Sequence, residues 1–173
     1  YEPISFDGAS KAASIGFGKS LVPRFHFGKA ERILSLDCDF LGDEEDAHIS
    51  TKGFSDGRVV ERPGDSMNRL YVVEGLMTLT GSNADHRLRV PTSQVFAVGA
   101  ALLAEALELD SSVADDVQLG AFKNSLRQIA ATANVSSEWV AEAMKDLVAH
   151  SGHSLVLAGY RQPVAVHLLV LAL

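Results

Sequence analysis

Three short apolar runs, each closed by an acidic residue or a glycine, constrain this chain more than any other feature. Arg32-Ile33-Leu34-Ser35-Leu36 ends in Asp37, Arg69-Leu70-Tyr71-Val72-Val73 ends in Glu74, and Ser154-Leu155-Val156-Leu157-Ala158 ends in Gly159. They are too short for core helices and apolar at consecutive positions, so both faces are expected to be covered, as in the buried strands of a parallel sheet. The segments between them carry helical periodicity. Val95, Val98, Gly99, Leu102, Leu103, Ala106 and Leu107 recur at steps of three and four, as do Leu119, Phe122, Leu126, Ile129 and Ala133, and again Val140, Ala143, Met144, Leu147 and Val148. Each set makes one stripe expected to be buried.

Boundaries follow from local chemistry. Ser112 before Asp115 and Ser136 before Glu138 supply cap oxygens and first-turn carboxylates. A last helix starts near Pro163, and an early one runs from about Phe6 to Phe17 and stops at Gly18. Glu44 to Phe54 reads as a polar surface helix, and Asp56 to Asn68, with Gly57, Pro63 and Gly64, reads as a loop. Strands alternating with helices predict an α/β fold, a Rossmann-like parallel sheet with helices on both faces. With 173 residues the chain is read as a single domain over 1–173. Three or four strands make a narrow sheet, and an edge is expected to be covered by further polypeptide.

Composition removes several functions. Fifteen Lys and Arg against 22 Asp and Glu give a net charge of −7, which argues against a nucleic-acid groove. The lone Cys38 excludes an internal disulfide and any all-cysteine metal or iron–sulfur cage, and reads as a small buried residue at a strand end. The apolar stretches Val95–Leu107 and Pro163–Leu173 fall short of a bilayer span, so no direct membrane insertion is expected.

Candidate site residues lie where strands end, because ligands of α/β sheets sit at the carboxyl ends of strands. Asp37 and Asp39 flank Cys38 there, and Glu74 closes the second run. An acidic residue at that place is suited to ribose hydroxyls, and two neighbouring carboxylates are suited to Mg²⁺ in a small phosphatase or transferase. The residues after Asp39, Phe40-Leu41-Gly42, lack the Gly and Thr of such a phosphatase. Asp43, Glu44, Glu45 and Asp46 read as a solvated acidic edge and helix N-cap carboxylates. Ala13-Ser14-Ile15-Gly16-Phe17-Gly18-Lys19-Ser20 fits a relaxed phosphate loop, but a helical pattern precedes it and Pro23 follows it, so Gly18 is read as a helix end. Ser154 lacks the second glycine of a nucleophile elbow and is read as structural, and His150 and His153 as partners of a helix carboxyl end. Asn134-Val135-Ser136 fits a glycosylation acceptor at chance frequency.

Three longer stretches together resemble a known family: residues Ile33 to Gly42, Met67 to Glu74, and Leu79 to Leu88. They resemble the molybdopterin-oxidoreductase-like, iron–sulfur subunit of alternative complex III and its Tat-exported relatives in the dimethyl sulfoxide reductase superfamily. Tyr1 to Asp7, Ser154 to Gly159, and Gln162-Pro163 look similar as well. The resemblance implies a Rossmann-like domain cut from a much larger periplasmic subunit of a quinol-oxidising electron-transfer complex. Its partners would be the other domains of that subunit and the subunits of the membrane complex. The family is associated with molybdopterin guanine dinucleotide and iron–sulfur clusters. By correspondence, Asp37, Asp39 and Glu74 would lie beside the guanosine part of the cofactor. The turn that completes the contact reads Val90-Pro91-Thr92-Ser93-Gln94 here and lacks the Gly and Asp of the family pattern. The expectation is therefore a structural domain with no cofactor of its own, with a cofactor-binding domain as the alternative.

Overall fold

The computed structural model describes residues 4–19, 21–109 and 117–173. Its strands are β1 (Arg32–Leu36), β2 (Arg69–Glu74), β3 (His86–Arg89) and β4 (Ser154–Ala158), and its helices are α1 (Gly8–Phe17), α2 (Ala47–Asp56), α3 (Leu79–Ser82), α4 (Val95–Leu109), α5 (Val117–Ala130), α6 (Ser137–Ala149) and α7 (Val164–Ala172). The strands form one all-parallel sheet in the order β3-β2-β1-β4. The chain starts in the middle, winds outward through β2 to β3, then crosses back to add β4 on the other side of β1. This is the α/β, Rossmann-like arrangement that the apolar runs predict.

Alternation along the strands separates two cores. On one face, Leu34, Leu36, Tyr71 and Val73 pack with Val95, Val98 and Leu102 of α4, Met144 and Leu147 of α6, and Val166 of α7. On the other, Ile33, Leu70, Val72 and Leu157 pack with Phe27, Phe40 and Phe54. Phe54 belongs to α2, so the helix read as polar and superficial contributes a buried ring, 5.5 Å from that of Phe40. A single aromatic among polar residues anchors α2, which is why no stripe is visible in its sequence.

Two helix boundaries agree with the chemistry that predicted them, whereas α2 runs over Ala47–Asp56 rather than Glu44 to Phe54. Gly18 ends α1 with φ 65°, the left-handed conformation open to glycine at low cost. The Ser136 hydroxyl accepts the Trp139 N–H at the start of α6. The predicted cap at Ser112 and Asp115 lies outside the described residues, as do Tyr1–Pro3 and Ser20. Two stripes are narrower than their periodicity suggests. Val148 is exposed while Val140, Ala143, Met144 and Leu147 are buried, and Phe122 is exposed while Leu126 is buried against α4. Thr92–Leu109 forms an 18-residue helical stretch of mean hydropathy 1.3, longer than the run expected there. Its buried Val95, Val98, Leu102 and Leu103 place that apolarity in the domain core.

β3 has no counterpart among the predicted runs. His86-Arg87-Leu88-Arg89 holds one apolar residue in four, which suits an edge strand.

Candidate functional site

The strand order reverses between β1 and β4, so the carboxyl ends of these two strands define a topological switch point. Asp37, Cys38 and Asp39 leave β1 there, and Gly159, Tyr160, Arg161 and Gln162 leave β4. Glu74 ends β2, the neighbour of β1. The fold thus brings the three predicted carboxylates to one end of the sheet.

Each of them is engaged by its own chain. The Glu74 side chain is 2 % exposed; it accepts from Arg87 Nε at 2.5 Å and from the Thr78 hydroxyl at 2.6 Å. Gly81 lies against it so closely that any added Cβ would overlap the carboxylate. Asp39 accepts the Thr80 N–H at 2.9 Å, while the Thr80 hydroxyl accepts the Leu41 N–H at 3.1 Å. Asp37 accepts from Gln162 Nε2 at 2.7 Å, and the Gly75 N–H also points to its carboxylate. Burial raises the Asp37 pKa above the ordinary carboxylate value, against the lowering effect of those two hydrogen bonds.

The backbone at Asp37 is left-handed, with φ 53°. Its N–H donates to Val73 O at 2.7 Å, and Gly159 packs directly on its carbonyl oxygen. These contacts on both sides hold a conformation that a non-glycine residue adopts at a cost. Cys38 is buried, and burial pushes its thiol well above the ordinary value, so it is inert as a nucleophile. Ser154 donates to Leu147 O and His150 O, and His150 Nδ1 lies 2.7 Å from Asp146 O, both at the end of α6. The phosphate-loop pattern falls on α1 and its Gly18 cap, not on a strand–helix junction.

The acidic run after Asp39 is exposed at Asp43, Glu45 and Asp46, as expected, and departs from its expected role at Glu44. Asp46 takes the N-cap position of α2 with φ 61° and no side-chain cap bond. Glu44 is half-buried and accepts the Tyr160 N–H at 3.0 Å, and Asp43 pairs with Arg161. Together with Asp37–Gln162 these contacts tie the β1–α2 loop to the β4–α7 loop across the switch point. Sequence reasoning missed Glu44, Tyr160, Arg161 and Arg87, because each is recruited by a partner far away in the chain. Gln162 was visible only as part of a resemblance.

Glu44 carries a pH signature. Burial, reinforced by Asp43, raises its pKa to about 7 from the ordinary 4.5, although the Tyr160 N–H, the Cys38 thiol and Arg161 pull it down. Below pH 4.5 the carboxyl is protonated in folded and unfolded chains alike. Between 4.5 and about 7 only the folded chain keeps the proton, so this group's contribution to stability falls as pH rises through that window. Glu44→Gln keeps the acceptor for Tyr160 and removes the titration. The stability of the wild-type protein relative to this variant should drop by about 1–2 kcal/mol from pH 4.5 to 8, with partial exposure reducing the full effect. Urea midpoints across that range measure it, and parallel pH profiles for the two proteins would refute it.

No family model matches the chain, and a search of curated proteins returns no match.

The fit to a guanine dinucleotide is poor. The carboxylate expected to reach ribose or guanine, Glu74, is closed off beneath Gly81 and neutralised by Arg87. Asp39 holds the first turn of α3, and Asp37 is braced by Gln162. Among the described residues no group of three His, Cys, Asp or Glu is placed to hold a metal ion. A cavity of about 420 Å³ opens at the opposite, amino-terminal end of the sheet, where Trp139, Tyr71 and His86 surround a charged hub. In that hub Asp146 Oδ2 accepts from Arg32 Nε, Arg69 Nη1 and the Tyr71 hydroxyl at 2.7–2.8 Å, fastening α6 to β1 and β2.

Proposed function

We propose that this chain is a structural, Rossmann-like domain of a molybdopterin-oxidoreductase-like subunit, part of a periplasmic, quinol-oxidising electron-transfer complex, and that it has no redox centre of its own. The assignment to that class rests on the resemblance carried by residues 33–42, 67–74 and 79–88. The structural role rests on one observation: Glu74, the carboxylate best placed for a nucleotide, is buried in bonds to Arg87 and Thr78. Such a domain would hold shape and seat its neighbours while electrons move elsewhere in the subunit.

Calorimetric titration with guanosine diphosphate tests the role. No heat of binding is expected up to millimolar ligand, which places any affinity weaker than about −4 kcal/mol. Saturable binding that is lost in Asp37→Asn would overturn the structural reading in favour of a cofactor-binding domain. Binding that requires Mg²⁺ and is lost in Asp39→Ala would favour a phosphatase or transferase instead.

A further inference from the structure

The cavity at the amino-terminal end of the sheet has no role in the reading above. Its volume of about 420 Å³ falls within the roughly 300–1,000 Å³ of small-molecule sites. Three aromatic rings, each from a different element, bound it. Tyr71 of β2 and His86 of β3 are cross-strand partners, and their rings stack with centroids 4.8 Å apart and planes 17° from parallel. Trp139, in the first turn of α6, stands at 81° to Tyr71 with centroids 6.1 Å apart. A stacked pair meeting a third ring at nearly a right angle makes an apolar corner, suited to the face and edge of a flat molecule. Tyr71 is buried, but His86 is exposed and Trp139 half-buried, so solvent reaches the corner.

The polar part of the lining is unbalanced in charge. Asp146 and Glu142 supply carboxylates, Arg69 and Lys145 supply cations, and Arg32 pairs with the same Asp146. Asp146 Oδ2 is therefore shared between two guanidiniums and the Tyr71 hydroxyl. One carboxylate balances one guanidinium, so the hub keeps a surplus positive charge. Glu142 and Lys145, both exposed on α6, offset each other. The surplus is accessible at Arg69, whose side chain is 44 % exposed against 14 % for Arg32. Its Nη1 donates to Asp146, and a guanidinium is a fork of several donors, so others are left over for a ligand. A monoanion matches this surplus. A second negative charge would be set against Asp146 and Glu142. A cation, which the rings alone would attract, would be set against Arg69 and Lys145.

We propose that this cavity is a binding site for a small planar aromatic carboxylate, with its ring in the corner of Trp139, Tyr71 and His86 and its carboxylate on Arg69. The site goes beyond the structural role proposed above. It lies at the other end of the sheet from Asp37, Asp39 and Glu74, so the two readings stand or fall separately.

Trp139 is the only tryptophan of the chain, so its indole N–H is a unique reporter. 2-Naphthoate is titrated into the full chain and followed in nitrogen–proton correlation spectra. The Trp139 indole and Arg69 Nε–H signals should shift together and saturate with one Kd of about 1 mM or tighter, the range that ordinary ligand efficiency gives a molecule of this size. Cyclohexanecarboxylate has the charge without the flat ring and should bind about threefold more weakly or worse. 2-Naphthylmethylammonium has the ring with the opposite charge and should bind about tenfold more weakly or worse. Arg69→Gln leaves Asp146 its bonds to Arg32 and Tyr71, and should weaken 2-naphthoate about tenfold, as for loss of a hydrogen bond to a charged group. Absence of a saturable shift up to about 10 mM 2-naphthoate would overturn the proposal. So would tighter binding of the ammonium, unchanged affinity in folded Arg69→Gln, or shifts centred on the exposed Leu76 and Met77 instead, which would mean adsorption to an apolar patch. The comparison of ligands in the wild-type chain decides the matter if Arg69→Gln does not fold.

Discussion

Glu74→Ala is expected to lower the unfolding free energy by about 2–4 kcal/mol, read as a fall in urea midpoint with an unchanged slope. The carboxylate sits in the interior at the end of β2, neutralised by Arg87 and held by Thr78. Removing it strands the Arg87 guanidinium and leaves a cavity beneath Gly81. Breaking a fully buried pair costs about 3–5 kcal/mol, and the Arg87 side chain, 21 % exposed, recovers part of that through water. Glu74→Gln should fall between the two, because it keeps an acceptor near Thr78 but loses the charge. The same substitutions discriminate roles. If Glu74 served a nucleotide rather than the fold, its alanine variant would be as stable as wild type or more so, since a ligand-facing carboxylate contributes little to stability.

Gly159→Ala is the second large effect, expected to cost about 3 kcal/mol, the upper end for overpacking. An added Cβ would overlap the carbonyl oxygen of Asp37. That neighbour is backbone, held from its other side by the bond to Val73 O, so it cannot swing away as a side chain would. The strain would fall on the switch point itself, loosening the Glu44–Tyr160 and Asp37–Gln162 contacts. Gly120→Ala is the contrast. It lies inside α5 with nothing near its missing Cβ, and should gain about 0.4–1 kcal/mol. Urea unfolding of the two variants should therefore shift in opposite directions, and a neutral Gly159→Ala would mean that the two loops are not in contact.

These positions show what a sequence can and cannot reveal. β1, β2 and β4 were legible because strands covered on both faces leave continuous apolar runs. Their acidic or glycine endings mark the carboxyl ends of the strands, and the fold brings Asp37, Asp39 and Glu74 to that one end of the sheet. β3 was invisible because an edge strand needs little apolar surface; α2 was legible as a helix over Glu44 to Phe54, but its buried anchor was not, because a single ring, Phe54, supplies it. What each carboxylate does there depends on partners remote in the chain. Arg87 lies 13 positions from Glu74, Gln162 lies 125 from Asp37, and Tyr160 lies 116 from Glu44. No local pattern encodes such pairs. The acidic run after Asp39 therefore read as a solvated edge, which holds for its exposed residues but does not reveal that Asp43 and Glu44 bridge the crevice.

The strand order also has a consequence for biosynthesis. β1 is central, and its partner β4 is encoded roughly 120 residues later, which a ribosome covers in about 6–24 s at about 5–20 residues per second. During that interval the nascent chain can assemble β1, β2 and β3, but one side of its middle strand has nothing to bind. The Asp146 hub on α6 is made just before β4 emerges, and it grips Arg32 and Arg69 at the starts of the two strands already present. The last strand is thereby delivered beside its slot, which shortens the time an apolar edge stands open to a neighbouring nascent chain.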